Sequence, residues 1–187
     1  RIQELFAARK PKGVSVISEV AGKVRMIDTS KAGSVVTIVS DQTQNGEPKE
    51  YKYTLDSSAQ LLVKKNQVVK AGDRLNKGSI HPKELLRVSS AEAVEKYIVE
   101  EAQKVYRAQG VEISDKHFEI IVHQMLRKIS VIFEGDTELL PGSKVSIAEF
   151  KAANKKAIAA RLRPAVGQPE LLGITRASLQ SDSFLSA

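Results

Sequence analysis

The sequence contains no cysteine and no tryptophan, and aromatic residues make up only 5% of its 187 residues. Without cysteine, neither a disulfide framework nor a thiolate zinc site can form, and the composition fits a reducing compartment. No apolar run approaches the length of a membrane span, and the first ten residues lack the apolar centre of a signal peptide. Hydrophobic residues still make up 42% of the chain, which is enough for a mainly aliphatic core. One compact domain or two small ones are expected.

Acidic residues are fewer than basic residues in this chain. The chain has 29 Lys and Arg against 22 Asp and Glu, a formal net charge of +7. Such a surplus favours a polyanionic partner, with nucleic acid ahead of a membrane surface, although many basic proteins bind neither. The chain begins at Arg1 rather than at a methionine and stops abruptly after Phe184-Leu-Ser-Ala187. Both ends resemble cuts in a longer polypeptide.

The segment Val14–Ile80 has the pattern of a β domain. Short β-branched or alternating runs are separated by clusters of Gly, Ser, Asp and Asn, which are typical of turns. Asn45-Gly46 is a strong hairpin signal. The runs are Val14–Ile17, Gly22–Ile27, Ser34–Val39, Tyr51–Leu55, Leu61–Val63 and Asn66–Leu75. About six short strands at this spacing predict a small antiparallel barrel or sandwich.

The segment Val105–Lys128 predicts two helices joined by a short turn. Gly110 can adopt the left-handed conformation that ends a helix, and the Ser114 hydroxyl can cap the next one. After it, apolar residues recur at three- and four-residue spacing and form one stripe. Arg127 and Lys128 are expected at the end of this second helix, where positive charge suits the helix dipole. The segment is therefore an αα-hairpin.

Other helices are marked by their end signals. Arg1–Lys10 is helical in pattern and is stopped by Pro11 and Gly13. Capping boxes at Ser89/Glu92 and Ser146/Glu149 predict two further helix starts, the second leading a helix from Ile147 to about Arg163. Val131–Phe133 is strand-like, and a flexible link is expected at Pro164, Gly167 and Pro169.

The sequence contains no cluster of residues that would make a complete active site. His117 and His123 are six apart on a predicted helix and cannot form an i, i+4 metal pair. Neither a phosphate-binding glycine loop nor a serine nucleophile elbow is present. The basic residues support salt-sensitive contact with a duplex backbone, and the alternative for each is a solvated surface. The candidates for DNA contact are Lys10, Lys12, Lys64, Lys65, Arg127, Lys128 and Arg176.

Several separate motifs resemble the C-terminal part of the beta-prime subunit of bacterial DNA-directed RNA polymerase. They occur in the family's order and include both ends of the chain. One position differs, because the family usually has a basic residue where His123 stands. The motifs are Arg1–Pro11, Glu84–Val88, Val105–Val111, Asp115–His117, Gln124–Lys128, Leu172–Ser178 and Asp182–Phe184.

The resemblance implies an α+β fold, with a small antiparallel barrel-sandwich hybrid followed by a mostly helical region that contains the αα-hairpin. Residues 1–12 would follow the trigger loop, and 13–82 would be the jaw beside downstream DNA. Residues 83–170 would form a helical region of the cleft, and 171–187 would begin the switch region.

The resemblance also implies a partner set and a location. The whole complex would be a DNA-directed RNA polymerase, a nucleotidyltransferase, while this segment would carry no catalytic residues and no cofactor. Magnesium and zinc would be bound elsewhere in the enzyme. The expected partners are the beta, alpha, omega and sigma subunits, downstream duplex DNA and transcription regulators that bind the jaw, with no membrane. The expected location is the cytoplasm, in association with the nucleoid.

Two other classes remain open from the residues. Barrel-sandwich hybrids also resemble lipoyl and biotinyl carrier domains, which modify a lysine on a hairpin, and Lys64-Lys65 lie near a turn. The helical half and the absence of a Met-Lys or Asp-Lys-Ala motif argue against a carrier, and a protein-interaction domain is a related alternative. A stand-alone enzyme is disfavoured because no suitable residue cluster is present.

Overall fold

The computed structural model describes residues 2–173. The described residues divide into two compact units, one formed by Lys10–Ser90 and the other by residues 2–9 together with residues 91–173. The elements in chain order are α1 (Ile2–Phe6), β1 (Gly22–Ser30), β2 (Gly33–Gln44), β3 (Glu47–Asp56), β4 (Val68–Val69), α2 (Pro82–Val88), α3 (Ala91–Ala108), α4 (Asp115–Met125), β5 (Lys128–Phe133), β6 (Lys144–Ser146), α5 (Ile147–Ala159) and β7 (Val166–Glu170).

The unit Lys10–Ser90 is built on a curled antiparallel sheet with strand order β3-β2-β1-β4. The β2–β3 hairpin turns at Asn45 and Gly46, whose φ angles are +56° and +82°. Positive φ at both positions suits the right-handed twist of the flanking strands, so the predicted hairpin signal is confirmed. Irregular pairing next to Arg25 in β1, and between Val39 and Thr43 in β2, bends the sheet.

The core of this unit is aliphatic, as the composition predicts. Two of the predicted short strands are only isolated bridges, at Val14, Ile17 and Leu61. Side chains replace part of the ladder there, since Asn76 Oδ1 accepts the backbone N–H of Val16 at 2.7 Å. The buried cluster consists of Val24, Val36, Ile38, Leu55, Val63, Val69 and Leu75.

The second unit contains the predicted αα-hairpin, formed by α3 and α4. Gly110 follows α3 with φ +74°, and Ser114 caps α4 by accepting the Lys116 backbone N–H. Both end signals are confirmed. The ring of Phe118 packs against Phe6 of α1 and Tyr106 of α3, with ring centroids 6.1 and 5.6 Å away.

The helix α4 ends earlier than predicted. Its last residue is Met125, and Arg127 follows the buried C-cap residue Leu126. The expectation that Arg127 and Lys128 end the helix is therefore wrong, because Lys128 begins the central strand β5 and pairs with Ser146 and Glu170. The β-branched run after Lys128 favours a strand once it has partners on both sides.

A three-stranded antiparallel sheet with order β6-β5-β7 completes this unit. The flexible link predicted around Gly167 is wrong, since β7 occupies Val166–Glu170. Asn154 of α5 fixes the entry to this strand, because its side-chain amide donates to Ala165 O at 3.0 Å and accepts Ala165 N–H at 2.7 Å. Pro169 is tolerated because β7 is an edge strand.

Of the two predicted capping boxes, one begins a helix and the other does not. Ser146 caps α5 as predicted, with Oγ accepting the Glu149 backbone N–H at 3.1 Å. Ser89 does not start α3, because it is the C-cap of α2 and its N–H bonds Leu85 O. The predicted α+β fold, an antiparallel β lobe followed by helices with an αα-hairpin, is confirmed.

Candidate nucleic-acid interface

The excess positive charge lies almost entirely in the β unit. Residues 10–90 contain 14 Lys and Arg against 8 Asp and Glu, whereas the other unit contains 15 against 14. A polyanion is attracted by a local surplus of charge rather than by the chain average. The β unit is therefore the part of the chain that electrostatics favour as a nucleic-acid surface.

Lys64 and Lys65 lie on a turn that is anchored to β1. The backbone N–H of Asn66 donates to Val24 O at 2.7 Å, and Val24 N–H donates to Gln67 O at 2.9 Å. Asn66 has φ +71°, which asparagine tolerates better than most residues. Both lysines are exposed, and neither forms an ion pair with the described residues. Their charge is thus presented to solvent from a fixed backbone.

Lys10 and Lys12 are exposed at the start of the same unit, close to the segment before α2. Burial lowers the pKa of His81, and the positive charges of Lys83 and Lys10 lower it further against the opposing effect of Glu84. The imidazole therefore favours its neutral form, and the positive potential here comes from the lysines.

The arginines of the β unit have internal partners. Arg25 pairs with Glu50, and Arg87 pairs with Glu84 and, at 3.4 Å, with Glu19. The hydrogen bond from Arg87 lowers the pKa of Glu84. Arg74 donates through Nη1 to the carbonyl oxygen of Gly78 at 2.8 Å. The lysines are consequently the cations of this unit that are most open to an external anion.

Metal and membrane sites find no support in the described residues. Among residues 2–173, no three His, Asp or Glu side chains are close enough together to hold a metal ion. In that same stretch no helix has the length and apolar character needed to cross a bilayer. The geometry instead offers an exposed, lysine-rich β surface.

Comparison with protein-family models supplies the decisive observation. The model for RNA polymerase Rpb1, domain 5, matches residues 8–182. The chain belongs to this RNA polymerase family.

Three similar proteins are beta' subunits of bacterial RNA polymerases. Its whole length is 62% identical to the DNA-directed RNA polymerase subunit beta' of Acholeplasma laidlawii, 51% identical to that of Aster yellows witches'-broom phytoplasma and 45% identical to that of Clostridium botulinum strain Loch Maree. The chain spans only 13 to 15% of the length of these three relatives. The resemblance to beta-prime subunits predicted from the motifs is confirmed.

The family match includes both units, which bears on the carrier-domain alternative. A lipoyl or biotinyl module would account for the β unit alone, whereas the match continues through the αα-hairpin and the second sheet. Lys65 does lie at a turn, as a carrier lysine would. Its position alone does not favour a carrier over membership of the polymerase family.

The seven candidate DNA-contact residues do not form one described cluster. Lys10, Lys12, Lys64 and Lys65 belong to the β unit, and Arg127 and Lys128 belong to the other. Arg127 and Lys128 are half-buried and offer less charge to a ligand. Arg176 lies outside the described residues. Their role in DNA contact stays a prediction.

One further lysine lies beside the turn pair. Lys23 is exposed, and it pairs with Val68 across β1 and β4, directly beside the turn that carries Lys64 and Lys65. About forty positions separate Lys23 from this turn in the sequence. Their closeness in space therefore becomes visible only from the pairing of β1 with β4.

Proposed function

We propose that the chain is a non-catalytic, DNA-facing segment of the polymerase beta-prime subunit that supports DNA-templated RNA synthesis. The observation that carries the proposal is the concentration of positive charge in residues 10–90. Lysine-rich surfaces contact phosphates without reading sequence, which suits a machine that must move along any template. The β unit would then hold the downstream duplex.

The segment roles follow the family resemblance. Residues 1–12 would continue from the trigger loop, 13–82 would be the jaw, 83–170 a helical region of the cleft, and 171–187 the start of the switch region. The polymerase reaction, and the magnesium and zinc it uses, would belong to other parts of the enzyme. The partners would be the beta, alpha, omega and sigma subunits, with regulators bound at the jaw. The cytoplasm and the nucleoid are the corresponding location.

A salt titration of the whole 187-residue chain tests DNA contact directly. The chain is mixed with a fluorescent duplex of mixed sequence, and anisotropy is recorded as potassium chloride is raised from low ionic strength. We expect weak binding that is independent of base sequence and disappears as salt increases, because phosphate contacts release counterions. Absence of binding at low ionic strength would remove the DNA-contact role but not the family assignment.

A further inference from the structure

The helix α5 contributes little to the core of its own unit. Of its thirteen residues, Ala157 is the only one fully buried. Ile158 is 62% exposed, and Leu162 after the helix is 50% exposed. A helix this short gains most of its stability from packing an apolar face. The exposed apolar side of α5 is therefore suited to a further packing partner.

An open depression of about 470 Å³, called the α5 groove below, lies along this side of the helix, and all of its lining residues belong to α5 itself. It is lined by Phe150, Lys151, Asn154, Lys155, Ile158 and Ala159. The amide of Asn154 is already bonded on both sides to Ala165, so it offers little to a ligand. The groove thus presents an apolar floor made by Phe150 and Ile158.

The flank of the groove is positively charged. Lys151 and Lys155 lie one helical turn apart, and neither forms an ion pair within residues 2–173. Around them, residues 139–173 contain six Lys and Arg and only two Asp and Glu. Carboxylates at a matching spacing of four residues on a partner helix would complement the two lysines.

We infer that this α5 groove docks an acidic amphipathic helix from a part of the polymerase subunit that lies outside this chain. The chain amounts to only 13% of the length of the Acholeplasma laidlawii relative, so most of such a subunit lies beyond it. A phosphate backbone would satisfy the lysines but would leave the exposed side chain of Ile158 uncovered. An amphipathic helix satisfies both features, as in other helix-in-groove interfaces. The inference rests on the proposed role of the chain as a polymerase segment.

A cysteine-protection experiment tests whether the groove is covered. The chain has no cysteine, so Ile158→Cys and Lys156→Cys each place a single thiol in this segment. Lys156 is the matched control because it is on the same helix, is exposed and does not line the groove. Maleimide labelling of the isolated chain and of the assembled polymerase is quantified by mass spectrometry of the α5 peptide.

The expected result is a selective loss of reactivity. The thiol at position 158 should react about tenfold more slowly in the assembled enzyme, while the thiol at position 156 should change by less than about twofold, because interface cores exclude water and rims do not. Equal labelling at position 158 in the two samples would overturn the inference. Circular dichroism of both variants checks that the helices remain folded.

A photo-crosslink identifies what covers the groove. Benzoylphenylalanine is introduced at position 158 of the assembled polymerase, and the crosslinked peptide is sequenced. We expect a helical segment of the same subunit with two carboxylates four residues apart. A crosslink to DNA, to a second copy of this segment or to a segment without carboxylates, or no crosslink, would overturn the inference.

Charge reversal completes the test. Lys151→Glu with Lys155→Glu should lower the crosslink yield by on the order of tenfold, because like charges would face each other. Lys156→Glu should leave the yield unchanged, and an equal loss in both variants would contradict a specific charge match. Failure here is distinguishable from failure of the DNA-contact proposal, since the crosslink reports on what covers α5, whereas the salt titration reports on DNA binding and its change on replacing Lys64 and Lys65.

Discussion

Gln103 of α3 donates its side-chain Nε2 to the Asp115 carboxylate of α4 at 2.6 Å. The same nitrogen donates to the carbonyl oxygen of Ile113 at 2.7 Å, and Gln103 is only 5% exposed. One buried amide therefore fixes both the loop after Gly110 and the first turn of α4. The αα-hairpin is held by this polar contact as well as by the packing of Phe118.

Replacing this amide should destabilise the chain. We expect Gln103→Leu to lower the free energy of unfolding by about 2 kcal/mol, because the half-buried Ile113 carbonyl loses its donor and the Asp115 bond is lost. Urea denaturation followed by circular dichroism measures the change. Gln109→Leu is the control, since Gln109 is exposed just after α3. Equal stability of the two variants would show that the buried hydrogen bonds contribute nothing net.

The turn at Gly110 provides a second prediction. Gly110→Val should cost about 1–3 kcal/mol, because a β-branched residue is strained at positive φ. Apart from its two chain neighbours, no residue has an atom within 4 Å of the position a Cβ would take, so the cost is conformational rather than steric crowding. Gly110→Asn should cost less, since asparagine tolerates this conformation. An unchanged melting temperature for the valine variant would contradict the prediction.

The C-terminal end of α5 offers a substitution that should increase the stability of the chain. Arg161 has φ +58°, and Leu162 N–H bonds Ala157 O at 2.8 Å, which is the pattern of a Schellman cap without its usual glycine. Arg161→Gly should therefore stabilise the chain by about 0.5–1 kcal/mol in thermal or urea unfolding. Ala160→Gly, at φ −86°, serves as the control and should give no gain. A loss of stability for Arg161→Gly would argue against strain at this position.

The pairing of Asp136 with Arg163 predicts a dependence of stability on pH. Arg163 donates hydrogen bonds from its side chain and its backbone N–H to the Asp136 carboxylate, and these lower the pKa of Asp136 from its ordinary value. A depressed folded-state pKa stabilises the fold above the unfolded pKa, and this contribution is lost as pH falls through the folded value. Wild type should exceed Asp136→Asn in stability at pH 7, with the difference shrinking below about pH 4.

Urea denaturation between pH 3 and 7 measures this difference. Asp28→Asn is a suitable control, because Asp28 is exposed on β1 and has no ion pair among the described residues. A gap between wild type and Asp136→Asn that stayed constant across this range would contradict the electrostatic origin.

The turn lysines should account for part of the DNA affinity. If Lys64 and Lys65 each contact a phosphate, replacing both by alanine should lower the slope of log K against log salt by about 2. Lys96→Ala with Lys116→Ala removes the same charge from exposed positions on α3 and α4 and should leave the slope unchanged. Equal slopes for the two double variants would show that binding follows net charge alone.

Local signals in the sequence were enough for some elements and not for others. Gly110, Ser114 and Ser146 act through their own backbone conformation and side chain, so the helix ends beside them are predictable. The β7 strand is not, because Gly167 and Pro169 form a strand only when β5 pairs with them and Asn154 holds Ala165. The early end of α4 at Met125 also depends on tertiary pairing, since Lys128 pairs with two strands that are distant in sequence.

Some features of the candidate nucleic-acid surface could likewise be predicted from the sequence, and others could not. The overall surplus of lysine and arginine can be counted from the sequence, and Lys64-Lys65 stands out by adjacency. The confinement of that surplus to one unit depends on where the chain divides. The neighbourhood of Lys23 and Lys64-Lys65 depends on strand register, which is set by tertiary packing rather than by local pattern.

The backbone N–H of Leu172 donates to the carbonyl oxygen of Met125 at 2.9 Å, and the side chains of Leu171 and Leu172 are both buried. The last described residues are therefore fastened to the C-terminal end of α4. A pull on residue 173 would be felt by the αα-hairpin at once, with no slack segment to absorb it. The hydrogen bond and the two buried leucines thus join the last described residues to the αα-hairpin as one mechanical piece.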